Sequence, residues 1–457
     1  MSTEPFKVGL LGHGTVGSAF AALLAERAGE IERFNGRAPV ISGVLTRTRG
    51  DFQEILAGAD LIVEVMGGIE PAREHLLAAI RAGRDVVSAN KQLLSQYGEE
   101  LFGAAREHDV HLRFEAAVAG AVPVVRLLEE SLAATPIERI HGIVNGTTNF
   151  ILSEMAKGSA YPQALAEAQR LGYAEADPSD DVSGRDAAAK MAILARLAFG
   201  APVHLDDVPY EGIEHLQSDD LEYARELGLG LKLIGTAERR DGGLSVRVYP
   251  AFLYAGHPLS SVSGPFNAVT VESEAITEIT MSGPGAGGLQ TASAVLGDVV
   301  SVMTGGARPP APPLELRLLE DVASAFYVHL EVADQPGVLA AVTQVLGDVV
   351  SVMTGGARPP APPLALPLIE DVENAFYVHL DVADHPGVLA AVTKALGEQG
   401  VSIKSVVQRG LGENARLVMV THPVLESSMH AAIDLVGAFD FVRSAPRTIR
   451  VIEEEFI

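Results

Sequence analysis

KVGLLGHGTVGSAFAALLAERA, residues 7–28, is the stretch whose reading decides the fold. Lys7–Leu11 is a short apolar strand, and Gly12-His13-Gly14-Thr15-Val16-Gly17 follows at once. An apolar helical pattern then runs from Ser18 to about Ala28. A lone GxGxxG is a weak signal, but strand, glycines and helix opening an alternating β/α segment is a specific one. Gly12 permits the tight turn, Gly14 lets a pyrophosphate approach the backbone, and Gly17 allows close helix–strand packing. The phosphates sit on the helix N-terminus, beside Thr15 and Val16, and need no basic patch there. The expectation is a dinucleotide-binding Rossmann sheet.

Working outward, the second strand, Val40–Leu45, ends in Thr46-Arg47-Thr48-Arg49. An acid usually stands here to hold the ribose hydroxyls of NAD; arginine, and Arg47 first, suits the 2′-phosphate of NADP. NADP is therefore the expected cofactor, with NAD the alternative. Leu61–Val65, Asp85–Val87 and Leu112–Glu115 read as further strands. The loops after them, Met66-Gly67-Gly68, Ser88-Ala89-Asn90-Lys91 and Ala116–Pro123, fall at the carboxyl edge, where open α/β sheets bind ligands. Lys91 at that edge is read as pointing at substrate or cofactor.

From Ile137 the pattern changes to an α+β one: a strand at Ile140–Asn145, a helix at Phe150–Ala156, and a helical run near Leu221–Gly228. Strands of antiparallel character follow at Leu231–Ala237, Leu244–Pro250, Asn267–Ser273 and Ala275–Met281. A second glycine-rich turn, Gly283–Gly288, leads into a helix at Thr291–Met303 that returns to the dinucleotide-binding unit. Within this region LGYAEADPSDDVSGRDAAAKM, residues 171–191, packs Glu175, Asp177, Asp180, Asp181, Asp186 and Lys190 beside an alanine-rich segment. Asp177-Pro178 reads as a turn, and Ser183 with Asp186 as an N-cap and its capping partner. A helix then runs through Ala187–Phe199 and stops at Gly200. Asp186 and Lys190, four apart, share one face of it. Two readings compete: a solvated cap with a surface ion pair worth about 0.3–0.5 kcal/mol, or an acid and a lysine aimed into a cleft. The apolar residues on both sides favour the cleft.

Composition bounds the function. The 457 residues suffice for two to four domains. With 59 acidic against 34 basic residues, the chain is poorly suited to nucleic acid or to anionic membrane surfaces. No apolar run approaches the ~18 residues that span a bilayer, and the start MSTEPFKVGLL lacks the pattern of an export signal. A cytoplasmic protein is expected. Cysteine is absent, which excludes disulfides, thiolate metal sites and aldehyde oxidation through a cysteine thiohemiacetal.

Residues 296–345 recur almost unchanged as 346–395, and LGDVVSVMTGGARPPAPPL is identical in both copies. Two near-identical units with Pro-rich linkers do not make a solenoid, so a recent duplication or an error of sequence is the simpler account. The second copy continues as strand Ala375–Ala383, turn Asp384-His385-Pro386-Gly387, helix Val388–Gln399, strands Val401–Arg409 and Arg416–Thr421, helix Leu425–Leu435 and strand Thr448–Glu453. That βαββαβ order is a ferredoxin-like sandwich. The expected organisation is a Rossmann unit over 1–135, an α+β catalytic and dimerisation unit over 136–308, a duplicated linker with a partial sandwich over 309–373, and a complete sandwich over 374–457.

These motifs together resemble the homoserine dehydrogenase family with a C-terminal ACT regulatory domain. VGLLGHGTVG (8–17), VEVMGG (63–68), VVSANK (86–91), FEAAVAG (114–120), GIVNGTTNFIL (142–152), residues 171–190 and SGPGAGG (282–288) carry the resemblance. It covers nearly all of the chain except the extra repeat copy. It implies reversible reduction of L-aspartate 4-semialdehyde to L-homoserine with NAD(P)H, on the route to threonine, methionine and isoleucine. By the same resemblance Glu175 binds substrate, with Asp181 beside it, and Lys190 donates the proton. Asp186 holds or polarises the substrate site, Lys91 belongs to it, and Gly172 and Gly287 lie near the cofactor. Glu115, Val118, Gly120 and Val122 match positions that hold a structural sodium ion, chiefly through main-chain oxygens. The family more often has GGIP where this chain has Gly120-Ala121-Val122-Pro123. The ACT motif at Asp384–Leu389 implies an amino-acid effector, threonine first, and ACT sandwiches resemble units that pair, which implies a homodimer or homotetramer.

The chemistry of the residues agrees with that reading. An alkoxide developing from an aldehyde needs a proton or positive charge, which Lys190 or Lys91 can supply, and Glu175 can bind an ammonium. Two rivals stand beside it. A semialdehyde dehydrogenase that phosphorylates or oxidises is opposed by the missing cysteine. An inactive amino-acid sensor using only the ACT unit is opposed by the joint presence of Glu175, Asp186, Lys91 and Lys190.

Overall fold

Strands Phe6–Leu11 (β1), Pro39–Leu45 (β2), Leu61–Glu64 (β3), Asp85–Ser88 (β4) and Leu112–Arg113 (β5) form a parallel sheet in the order β2-β1-β3-β4-β5. In this computed structural model the described residues are 4–305 and 371–452, apart from 219, 222–223, 225–227, 241–242, 384 and 410–414. The central strand β3 is buried along its whole length, as an apolar run sandwiched between helices must be. Helices Thr15–Asn35 (α1), Phe52–Gly58 (α2), Ala72–Arg81 (α3) and Lys91–Glu107 (α4) make the crossovers. Asn90 caps α4, its side-chain oxygen accepting from the Leu93 N–H at 3.1 Å, so Lys91 is the first residue of a helix.

The fifth strand is shorter than expected. It ends at Arg113, and Glu115 opens a 3₁₀ turn, Glu115–Ala117. The Glu115 N–H donates to Asp298, and its carboxylate accepts from the Val125 and Arg126 N–H groups, so its bonds leave the ladder. The chain then passes a short helix, Val124–Arg126 (α5), into strand Arg139–Ile143 (β6).

Helices Gly146–Ala156 (α6), Tyr161–Arg170 (α7), Ser179–Val182 (α8) and Arg185–Phe199 (α9) follow, then strands Leu229–Arg240 (β7), Gly243–Tyr254 (β8), Phe266–Ser273 (β9) and Thr277–Pro284 (β10). The helical run expected near 221–228 falls largely outside the described residues. Helix α9 is buried nearly all round, and Met191 seats against β7 where Gly235 has no side chain. Helix Gly288–Met303 (α10) returns to the first unit: Ala292, Val295 and Val299 share a core with Phe20 and Leu24 of α1.

The C-terminal unit has strands Glu373–Val382 (β11), Ile403–Arg409 (β12), Ala415–Thr421 (β13), Val424–Leu425 (β14) and Arg447–Ile452 (β15), with helices Val388–Glu398 (α11) and Glu426–Gly437 (α12). Its main order, β15-β11-β13-β12, is antiparallel throughout, with a core of its own. The expected βαββαβ sandwich is present, but it does not stand alone. β15 pairs in parallel with β8, Arg450 opposite Ala251 to Ile452 opposite Leu253, and so fuses both antiparallel sheets into one of ten strands. The linker 309–373 lies outside the described residues save 371–373, as does most of the repeat. Among the described residues no helix is long and apolar enough to cross a membrane.

Phe252 of β8 and Tyr377 of β11 are fully buried and meet edge to face, ring centres 5.0 Å apart, at that fusion. Phe252→Ala is expected to lower the unfolding free energy by about 3–5 kcal/mol, measured by denaturant titration.

Candidate active site

At the carboxyl edge of the parallel sheet the chain turns at Gly12 with φ of 101°. A Cβ there would lie 2.7 Å from the Val65 carbonyl oxygen, and one at Gly17 would overlap the Gly12 carbonyl. Gly14 faces open space, and the N–H groups of the first turn of α1, from Thr15 and Val16, follow directly. This is the cradle a pyrophosphate requires: an approachable backbone at a helix N-terminus. The second glycine-rich turn lies against it, since Gly287 caps α10 and Gly288 contacts Thr15. Arg47 is exposed in the loop after β2 and, among the described residues, forms no ion pair. Gly172, with φ of 78°, sits in the exposed turn after α7 and is not among the residues lining the cavity described next.

That cavity, of about 240 Å³, opens between the loops after β3, β4 and β5, the Gly285-Ala286 turn and Lys190. Gly68, Asn90, Lys91 and Gly120 line it. Behind its two lining lysines is the Asp186 carboxylate, 4 % exposed. The Lys190 ammonium reaches it at 2.7 Å from one turn along α9 and also donates to the Val144 carbonyl at 2.7 Å. The Lys91 ammonium reaches the other Asp186 oxygen from α4. The Asn145 amide donates to Asp186 at 2.8 Å and to Asp181 at 2.7 Å. A buried carboxylate thus holds two cations and an amide, which settles the choice left open above: this is no surface ion pair.

The electrostatics follow from burial and proximity. Burial alone would raise the Asp186 carboxyl, but the Lys190 and Lys91 ammonium groups hold it well below the usual carboxylate range. Burial, and then the charge of Lys91, pull the Lys190 ammonium down despite Asp186. For Lys91 burial is outweighed by Asp186, and it is held above its ordinary value. Burial and the nearby Asp186 raise the Asp181 carboxyl.

The expected residues divide accordingly. Lys91, Asp181, Asp186 and Lys190 come together. Glu175 lies on the exposed turn after α7 and, among the described residues, its side chain bonds to none of them. Ser183 is not the N-cap expected: α9 starts one residue later from Gly184, which is left-handed and offers no side-chain cap. Asp186 cannot act as a capping partner because Lys91, Lys190 and Asn145 occupy its oxygens. Asp177 does make the expected turn, accepting from Ser179. Asn145 was missed, being read as the end of a strand. It is the N-cap of α6, accepting from the Thr148 N–H at 2.8 Å, and an Asn-Gly step before a helix was the available signal.

A sodium ion here would have to rely on main-chain oxygens. The Glu115 carboxylate is already filled by two N–H groups at 2.9 Å, while the turn through Val118, Gly120 and Val122 is made by consecutive left-handed residues, Ala119 and Gly120. Among the described residues no group of three or more His, Asp or Glu side chains is arranged to hold a metal.

A model of the NAD-binding domain of homoserine dehydrogenase matches residues 12–115, the homoserine dehydrogenase model matches 123–300, and the ACT domain model matches 377–438. Homoserine dehydrogenase of Corynebacterium glutamicum is 38% identical over 472 residues, covering 97% of this chain and 95% of its own. The chain belongs to the homoserine dehydrogenase family. A solved homoserine dehydrogenase from Thiobacillus denitrificans superposes with a TM-score of 0.82 at 36% identity, covering 99% of this chain and all of the other. A hyperthermophilic archaeal homoserine dehydrogenase solved with NADPH is similar over 67% of this chain and 99% of its own, with a TM-score of 0.58 and 26% identity. As a member of that family this chain is an oxidoreductase with a nucleotide-binding sheet, a catalytic unit and an ACT unit.

Asp186→Asn would leave the buried Lys190 ammonium, and the half-exposed Lys91 beside it, without their counter-charge. Because Lys91 is partly solvated, the expected result is a loss of about 2–4 kcal/mol of stability, carried mainly by Lys190 and read from denaturant midpoints.

Proposed function

We propose that the chain reduces L-aspartate 4-semialdehyde to L-homoserine with NADPH, as a cytoplasmic homo-oligomer on the route to threonine, methionine and isoleucine. The observation that carries this reading is the Lys91–Asp186–Lys190 cluster, with its carboxylate buried, at a cavity bounded by the loops at the carboxyl edge of the parallel sheet. When bound, the dinucleotide supplies the hydride. The developing alkoxide then needs a proton, and Lys190, whose ammonium is pulled down by burial, is the better acid of the two lysines. Asp186 fixes both ammonium groups, and Lys91 keeps its charge to polarise the aldehyde oxygen. Asp181, held by Asn145, faces the same cluster and is assigned to the substrate. Glu175 is assigned to the substrate ammonium, on a turn that the Thr147 hydroxyl anchors through the Tyr173 carbonyl at 2.6 Å.

The finer assignments follow the same logic. Arg47 is exposed where a 2′-phosphate would lie, Gly172 and Gly287 flank the cofactor, and Lys91 also borders it. A structural sodium ion is assigned to the main-chain oxygens of Glu115, Val118, Gly120 and Val122. The effector, threonine first, is assigned to a cavity of about 700 Å³ beside the start of α11, lined by His385, Gly387, Leu389, Thr393, Gln408 and Leu417. We take the unit boundaries as 1–135, 136–308, 309–373 and 374–457.

NADPH oxidation with aspartate semialdehyde tests the reading. Lys190→Ala is expected to lower kcat by about 10²–10⁴-fold. In the unsubstituted enzyme reduction should decline as Lys190 deprotonates, on a limb below the ordinary lysine value of 10.5, and the limb should vanish in the variant. An unchanged rate would sink the proton-donor role. Arg47→Ala should weaken NADPH binding about tenfold or more and leave NADH nearly unaffected, by fluorescence titration. Threonine binding without turnover would instead make the chain a sensor.

A further inference from the structure

Glu64, the last residue of β3, is 0 % exposed, and among the described residues no cation pairs with its carboxylate. One oxygen accepts from the Met66 N–H at 2.7 Å and the Gly67 N–H at 3.2 Å. The other accepts the Ser88 hydroxyl at 2.7 Å. The Ser88 oxygen in turn accepts the Asn90 N–H at 3.1 Å, and the Asn90 amide donates to the Gly68 carbonyl at 2.6 Å. The chain from Met66 to Gly68 closes the circuit. Glu64, the Gly67-Gly68 loop, Asn90 and Ser88 therefore form one hydrogen-bonded ring across the ends of β3 and β4. All three side chains in it are buried.

Such a group is expensive for packing alone. A carboxylate taken out of water without a counter-ion is tolerated only where donors are already aimed at it. Here three donors converge on one acceptor-only group. Two of them come from a loop in which Gly67 and Gly68 both have positive φ, at 71° and 75°. What the ring holds is specific. On one side Gly68 is a wall of the cavity; on the other Asn90 is both a wall and the N-cap of α4, and the next residue is Lys91. Neither Glu64 nor Ser88 lines the cavity.

We propose that Glu64 is a positioning residue, which through Ser88 and Asn90 fixes the Gly67-Gly68 loop and the start of α4 as one unit and so sets the place of the Lys91 ammonium against Asp186. This rests on the assignment of Lys91 to the active site. Displacements of order 1 Å in an active site cost about 10²-fold in rate, which sets the scale of the effect.

The test uses the full chain and three variants. Glu64→Gln turns an acceptor into a donor opposite Ser88, Ser88→Ala removes the bridge, and Asn90→Asp keeps the helix cap but loses the bond to Gly68. Each is expected to lower kcat for semialdehyde reduction by about 10- to 100-fold. NADPH affinity should stay within about threefold, because the phosphates sit at Gly12–Gly17, outside the ring. Glu64→Gln with Ser88→Ala should be little worse than either alone, since both open the same ring. Amide exchange should rise together over 65–69 and 89–94 in the variants. This readout does not depend on turnover, so an unsubstituted enzyme that failed to reduce the semialdehyde would overturn the activity and leave the ring testable. Wild-type kcat in Glu64→Gln, multiplying effects in the double variant, or exchange that rises in only one segment would overturn the proposal. If Glu64→Gln fails to fold, Ser88→Ala and Asn90→Asp decide it by the same readouts.

Discussion

A single buried carboxylate with two ammonium groups on it sets the terms for the rest of the molecule. Removing Asp186 and Lys190 from water costs several kcal/mol per ion, and mutual attraction recovers it only where geometry is good and remaining lone pairs are filled. Asp186 meets both conditions through the amide of Asn145 and the two lysines. The partners arrive from three elements: Lys91 at the start of α4, Asn145 as the N-cap of α6, and Asp186 with Lys190 on α9. The parallel sheet and the antiparallel unit must dock correctly for the cluster to exist. Their shared core and the return of α10 onto α1 supply that docking.

A second charged layer joins the catalytic unit to the C-terminal one. Arg447 donates to Asp220 at 2.8 Å, with His379 wedged beside them, and Arg450 bridges Glu211 and Glu426. Arg247 of β8 reaches the same Glu426 at 2.7 Å. Glu211 is near the catalytic segment in space: Ile213 donates its N–H to the Val182 carbonyl at 2.9 Å, and the Glu211 carbonyl lies close to Gly184, the residue from which α9 starts. The ACT unit thus meets the stretch that carries Asp181 and Asp186 through one intervening strand of backbone.

Much of this was legible from residues 7–28 and 171–191. Glycine spacing, strand–helix alternation and i,i+4 charge placement are local, and they located β1, α1 and the face shared by Asp186 and Lys190. What escaped was decided by distant partners. The shortening of β5 depends on Asp298, 183 residues away from Glu115. The cap of α9 moved to Gly184 because Asp186 is claimed by Lys91, 95 residues distant. Glu64 and Asn145 looked like ordinary strand ends, since nothing local says that their side chains turn inward onto a neighbouring loop. The parallel pairing of β15 with β8 was equally invisible, as a ferredoxin-like sandwich read alone has no reason to seek a fifth neighbour.

That pairing makes the C-terminal unit part of the catalytic unit's framework. Strand β8 would otherwise present a row of unsatisfied peptide groups along three residues, an invitation to pair with another chain. Ending the chain before β15 would uncover that edge and strip Arg450 from Glu211 and Arg447 from Asp220. The ACT unit and the catalytic unit therefore share one continuous sheet, joined at a single strand pair. Trimming the ACT unit away would alter the catalytic sheet itself, not remove an appendage.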